Sequence, residues 1–310
     1  MESTKFKSKP KLTIYLYATF SMLFWGLSFV WVKIAYEYYR PITLVTIRLF
    51  VATIILAIFL IFRKPKVEIE AKDLPVFALL AFFEPFCYFL GESFGMQFVS
   101  STLASVIIAM IPVIAPFFTF IFYREKLSLS GFLGLFISFS GVLFLIIDKN
   151  FKLVAELKGI LLLFFAVFSS IGYSLIVKKL TLKYDSITII TMQNGFGFAY
   201  FLLFFLIFDF KHFITVTPDI RLITTILQLS IFASVLSFIL FTSVIRQLGI
   251  NTSNIFTNLI PLFTALFSFI ILKEKFNFQK IAGILLVLFG VFASQIDLNS
   301  IFKRKKIKNQ

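Results

Sequence analysis

Residues 111–142 read IPVIAPFFTFIFYREKLSLSGFLGLFISFSGV, and residues 260–291 read IPLFTALFSFIILKEKFNFQKIAGILLVLFGV. The two stretches align without a gap at an offset of 149 positions. Ile111-Pro112 answers Ile260-Pro261, Glu125-Lys126 answers Glu274-Lys275, and Gly134 and Gly141 answer Gly283 and Gly290. Each copy reads as an apolar helix with an internal proline, a short charged turn (Arg124-Glu125-Lys126, Lys273-Glu274-Lys275), and a second apolar helix with glycines seven apart. Unrelated helix pairs rarely share proline, turn and glycine register, so the pattern reads as an internal duplication.

The copies extend outward. Gly26-Leu27-Ser28 followed by Lys33 matches Gly172-Tyr173-Ser174 followed by Lys179. Residues 42–48 (ITLVTIR) match residues 187–193 (ITIITMQ), with Gln193 where the first copy has Arg48. Composition says what kind of chain is duplicated. Of its 310 residues, 59% are hydrophobic, and the mean hydropathy is +0.98. A soluble domain, nearer ~45–50% apolar, could not bury that surface. The apolar runs are about twenty residues long without alternation, which fits membrane helices and not barrel strands.

The sequence therefore predicts an all-α membrane protein with ten transmembrane helices in two inverted five-helix repeats. The helices fall at 13–36, 42–62, 74–99, 102–123, 131–147, 157–180, 187–208, 222–248, 252–272 and 278–295. Residues 1–12 form an N-terminal tail, 13–147 the first repeat, 157–296 the second, and 297–310 a basic C-terminal tail. Five is odd, so the second copy enters the bilayer from the opposite face, an arrangement typical of alternating-access carriers. Basic residues are concentrated on the side that holds both tails, which makes both termini cytoplasmic. The turn holding Lys273, Lys275 and Lys280 is the poorest fit to that rule. The first apolar run lacks a small-residue cleavage pattern and reads as a helix rather than a signal peptide. The location expected is the plasma membrane, a bacterial inner membrane, with the lipid bilayer as partner. Monomer and homodimer are not distinguished.

The formal charge of +15 does not indicate nucleic acid here, because the basic residues sit between apolar runs and at the ends. The one cysteine, Cys87, and the one histidine, His212, leave no metal-ligand set. There is no phosphate-binding glycine loop and no nucleophile–base pair, so neither an ATP-driven pump nor an enzyme is expected. No cofactor is predicted.

Trp25-Gly26 with Ser28, Arg48-Leu49-Phe50, Pro112 with Arg124-Glu125-Lys126, and Pro261 with Lys273-Glu274-Lys275 carry a resemblance. They look like the EamA family of the drug/metabolite transporter superfamily, and the resemblance covers nearly the whole chain. It implies a ten-helix secondary transporter with a central cavity lined from both halves. It leaves the substrate open, since members move amino acids, other metabolites and drugs.

Charges at membrane depth are functional candidates by default. Arg48 and Glu92 lie at matching depth, roughly 10 Å from the outer ends of their helices. They are expected to pair structurally or to share a water-filled vestibule. Lys33 is near enough to the surface to snorkel. Glu84, beside Pro85, lies near the middle of the third helix, and it is the proton-coupling candidate because a lone carboxyl there can bind and release a proton. Glu84 and Tyr88 share a helical face with Gly91 and Gly95, with Glu92 on its margin. Pro112, Pro116 and Pro261 mark where helices open. Ser105 and Asn254 occupy equivalent positions, and Asn258 follows Asn254 by one turn. The substrate-binding set predicted is Trp25, Glu84, Tyr88, Glu92, Ser105, Tyr173, Asn254 and Asn258. Gln193, Asn194 and Gln228 are weaker candidates. The function expected is a secondary transporter, an exporter of small organic metabolites such as amino acids. An uncoupled exchanger and a non-transporting scaffold subunit stay open as alternatives.

Overall fold

The computed structural model describes residues 12–63, 69–115, 118, 129–147 and 152–295. The first half holds α1 (Leu12–Ala35), α2 (Pro41–Phe62), α3 (Ala71–Gly95), α4 (Ser101–Ala115) and α5 (Ser130–Ile146). The second holds α6 (Leu157–Thr181), α7 (Ser186–Phe213), α8 (Ile220–Leu248), α9 (Thr252–Ile270) and α10 (Phe278–Ser294). Seven of these are long and apolar enough to cross a membrane, while α4, α5 and α10 are shorter apolar helices. Among the described residues there is no sheet, only an isolated bridge between Ile147 and Leu153. Pro116, the turn at Arg124-Glu125-Lys126 and both terminal tails lie outside the described residues.

Local chemistry sets the helix starts. Pro41 opens α2, where its missing N–H costs nothing. Asp185 Oδ1 accepts from Thr188 N and Asp219 Oδ1 from Leu222 N, each at 2.8 Å, which caps α7 and α8. The tight α3–α4 junction ends on Ser100, whose Oγ accepts from Leu103 N at 3.2 Å. Gly249, at φ +81°, ends α8 in a conformation other residues rarely adopt.

The two halves interleave. Helix α1 packs on α8 and α9, and its counterpart α6 packs on α3 and α4. Helix α2 packs on its counterpart α7, and α5 on its counterpart α10. Both counterpart pairs run antiparallel. Thr43 meets Asp209 and Thr46 meets the Phe201 carbonyl, while further along α2 Phe50 meets Phe198. On the other pair, Gly134 lies against Gly290 and Ser294, and Gly283 against Leu145. These glycines are the ones the duplicated stretch carries. A Cβ on Gly290 would come 2.5 Å from Ser138 N, and one on Gly134 would come 2.5 Å from the Gly290 carbonyl. Apolar side chains gain little from one another over lipid, so close backbone approach through small residues holds such pairs together. The outer faces of the same helices carry Phe136 and Phe289, 68% and 65% exposed, as a lipid-facing surface should.

Regular winding fails at defined places. In α3 the turn over Phe82–Cys87 is widened, and Glu84 has extended backbone (φ −145°, ψ 117°). The Glu84–Pro85 peptide is cis. Helix α8 is widened over Leu229–Leu236, and α9 is overwound over Phe256–Asn258. Helix α2 packs on the widened part of α8, and α7 packs on the break in α3. The irregular backbone of α3 and α8 is therefore packed against other helices, a setting in which lipid-embedded chains tolerate it.

Candidate functional site

A cavity lies where the halves meet. Trp25, Ser28 and Phe29 of α1 line it, with Arg48 of α2 and Glu84, Tyr88, Phe89 and Glu92 of α3. Helices α4, α6, α8 and α9 complete the wall, with Ser170, Tyr173 and Ser174 from α6 and Asn254 and Thr257 from α9.

Each charged group is built in by its own helix. The break in α3 turns the Glu84 side chain toward α6, where its Oε2 accepts from Ser170 Oγ at 3.3 Å. Ser169 Oγ donates to the Phe83 carbonyl at 2.6 Å, so α6 satisfies backbone that the break releases. Glu84 is 6% exposed and forms no ion pair among the described residues. Arg48, 3% exposed, donates from Nε to Ser234 Oγ at 2.5 Å and lies over the Phe89 ring at 4.4 Å. Ser234 belongs to the widened part of α8. Glu92 Oε1 accepts from Tyr88 Oη at 3.2 Å.

Arg48 and Glu92 thus share one cavity, but the direct structural ion pair is absent among the described contacts. Each has found a neutral hydrogen-bond partner on a neighbouring turn or helix, which leaves both facing the same enclosed space. Lys33 does not reach outward to the surface. Its Nζ donates to the Met96 carbonyl at the end of α3, and Tyr36 Oη donates to the Ser93 carbonyl at 2.6 Å. Together they cap carbonyls that α3 leaves free.

Six of the eight predicted binding residues line the cavity: Trp25, Glu84, Tyr88, Glu92, Tyr173 and Asn254. Trp25 is fixed by Nε1 donating to the Ala233 carbonyl at 3.2 Å and by edge contacts with Phe238 and Phe241. Ser105 and Asn258 are not among the lining residues. Ser105 Oγ donates to the Thr102 carbonyl at 2.8 Å, the usual back-bond of a mid-helix serine. Asn258 is 1% exposed, and its side-chain amide makes no hydrogen bond. The overwound turn over Phe256–Asn258 explains its placement. At about three residues per turn, a residue four positions on no longer shares its predecessor's face. Helix α4 also departs from expectation, since its winding relaxes at Ala109-Met110, ahead of Pro112.

Sequence reasoning left out Ser170, Ser174 and Thr257. A signal existed: Ser170, Tyr173 and Ser174 fall at three- and four-residue spacing on an otherwise apolar helix, the mark of one polar face.

Long apolar helices packed through small residues around a buried cavity that holds charged side chains define a multi-pass membrane protein. The model of the EamA-like transporter family matches residues 12–147 and again residues 157–294. The chain belongs to that family and is a membrane transporter. Its relatives carry the same description. An uncharacterized transporter of Archaeoglobus fulgidus is 27% identical over 272 residues, covering 88% of this chain and 95% of its own. The uncharacterized transporter YetK of Bacillus subtilis is 26% identical over 254 residues, covering 81% and 77%. A crystal structure 12% identical in sequence superimposes with a TM-score of 0.69 over 92% of this chain and 97% of its own, which bears on the fold alone.

Proposed function

We propose that this chain is a secondary transporter exporting small organic metabolites such as amino acids by alternating access. In this reading ten helices cross the inner membrane as two inverted five-helix repeats, with both termini cytoplasmic. The antiparallel course of α2 against α7 and of α5 against α10 supports the inversion. Alternating access then follows from the two halves rocking about the cavity they share.

The observation that carries the substrate class is the convergence of Arg48, Glu84 and Glu92 on one buried cavity. Ionised groups held out of water need a counter-charge. A molecule bearing both an ammonium and a carboxylate supplies it to each sign at once. Arg48 would hold the carboxylate, through the guanidinium nitrogens not used by Ser234. Glu84 would accept the ammonium or, in its absence, a proton. Exchange of the two on Glu84 would let a proton gradient drive efflux.

Proteoliposomes loaded with radiolabelled amino acids test this reading. Efflux from the wild type should accelerate when a proton gradient is imposed. Glu84→Gln, which keeps the shape and the Ser170 hydrogen bond, should move solute at one rate with or without the gradient. Coupling unchanged in Glu84→Gln would remove Glu84 from the mechanism. Equal wild-type rates in both conditions would favour an uncoupled exchanger.

A further inference from the structure

Around the cavity, α1 packs on α8 and α9, while α6 packs on α3 and α4. A polar contact that joins one group to the other just beyond the cavity would hold a mouth shut. Among the described residues, one end of the molecule has three. Lys33 Nζ donates to the Met96 carbonyl, Tyr36 Oη to the Ser93 carbonyl at 2.6 Å, and Ser101 Oγ to the Phe29 carbonyl at 3.0 Å. All three join the end of α1 to the junction of α3 with α4. Phe29 and Glu92 line the cavity. Lys33 lies four residues beyond Phe29, and Met96 four beyond Glu92, about one helical turn in each case. The closure therefore sits on the rim of the cavity.

The duplication supplies the parts of a second closure at the other end. Ser28 and Ser174 are equivalent and both line the cavity. Lys33 follows the first by five residues, and Lys179 follows the second by five. Glu92 of α3 answers Phe241 of α8 at the offset of 149 positions, and both line the cavity. Beyond Phe241, α8 runs on to its end at Leu248. These parts are not joined. Lys33 is half-buried and bound, whereas Lys179 is exposed, and its side chain makes no hydrogen bond or ion pair among the described residues. Helix α6 meets the second part of α8, but no polar side chain of residues 177–181 reaches it among the described residues. The ties of Lys183 and Tyr184 to Asp73 run from the turn that ends α6 to α3, which α6 packs on, so they bridge no mouth.

We propose that Lys33 is the latch of the outer mouth and Lys179 the latch of the inner one, each closing on the carbonyls that end the third helix of its own half, and never both at once. The inference rests on the inverted repeat and the orientation proposed above. The chemistry suits a contact that has to open. An ammonium carries three donors, and the end of a helix offers carbonyls without intrahelical partners. Such a grip needs no counter-charge, so its release leaves no buried anion behind. A lysine this near the surface regains water when it lets go. The structure is then latched on the outside, with its cavity reached from the cytoplasm.

Labelling the cavity from each face tests the latches. Ser174→Cys in a Cys87→Ser background puts a thiol in the cavity wall, and a small membrane-impermeant thiosulfonate is applied to intact cells and to inside-out vesicles. The thiol should react faster from the cytoplasmic face. Lys33→Gln should raise the rate from outside roughly tenfold, the shift expected when one hydrogen bond from a charged group leaves an equilibrium. Tyr36→Phe, which keeps the ring, should raise it too, and Lys179→Gln should lower it. Outside rates unchanged in both Lys33→Gln and Tyr36→Phe would overturn the outer latch, leave the two residues as caps of α3, and leave the transport site standing. An outside rate that Lys179→Gln raises or leaves alone would overturn the pairing of the two lysines. A thiol reached faster from outside before any latch is altered would overturn the assignment of the closed mouth. A thiol that reacts from neither face would reject the cavity as a transport path, and the latches with it.

Discussion

Glu70 shows how a single side chain can tie the halves together outside the apolar core. It precedes α3 and meets Lys183 of the α6–α7 turn at 2.7 Å and Lys72 at 2.6 Å. Hydrogen bonds from Lys183 first, and from Lys72 second, hold its carboxyl below the ordinary value of 4.5. A depressed carboxylate adds stability above its unfolded-state value and loses it as pH falls through the folded one. The contribution is small, because the group is exposed and screened. Melting curves of the wild type and Glu70→Gln should therefore differ near neutral pH and converge below about pH 4.5. A gap that stays constant into acid would show that Glu70 acts through something other than its charge. At this scale the sequence was informative about chemistry and poor about direction. Glu84 was visible as a lone acid beside a proline. Its extended backbone, and its hydrogen bond to Ser170, depend on a helix 86 positions away. Ser105 and Asn254 match in sequence, but one bonds back to its own helix while the other lines the cavity. Equivalent position in a repeat does not fix which way a side chain turns when a nearby turn is overwound.

At the scale of the element, the seam between α5 and α10 is the most demanding contact. Gly134, Gly141, Gly283 and Gly290 let two backbones approach with no room for a side chain. Ser138 Oγ reinforces the seam by donating to the Val287 carbonyl at 3.2 Å. Gly290→Leu should destabilise the protein by about 1–3 kcal/mol through overpacking, read as a lower melting temperature in detergent. Phe289→Leu, on the lipid-facing side of the same helix, should melt like the wild type. Equal melting of Gly290→Leu and the wild type would mean that α5 and α10 do not meet there. This contact was partly legible in the sequence. Glycines seven apart in both copies were visible as a register the two repeats share. That the two glycine-bearing helices lie on each other was not legible, because periodicity within a helix says nothing about its neighbour.

At the scale of the molecule, polar ties between the halves occur at both ends. At one end Asp209 of α7 accepts from Thr43 N and Oγ1 at 3.1 and 3.0 Å, and the Arg221 fork meets Glu37 at 2.8 and 3.3 Å. At the other end Lys183 and Tyr184 both reach Asp73 at 2.5 Å. Thr102 Oγ1 donates to Glu274, which also holds Lys280, so the charged turn of the second copy is anchored to the start of α4. The exposed Arg221–Glu37 contact is individually weak, whereas Thr43 and Asp209 meet in a buried setting. The whole scheme needs matched loops of the two copies to lie on opposite sides of the bilayer. Lys72, in the first turn of α3 beside the connection from α2, and Lys211, near the junction of α7 with α8, are such a pair. Single cysteines placed at these positions in a Cys87→Ser background, probed in intact cells with a membrane-impermeant maleimide, measure it directly. Lys211→Cys should label from outside and Lys72→Cys only after permeabilisation; labelling of both from the same side would contradict the inverted repeat.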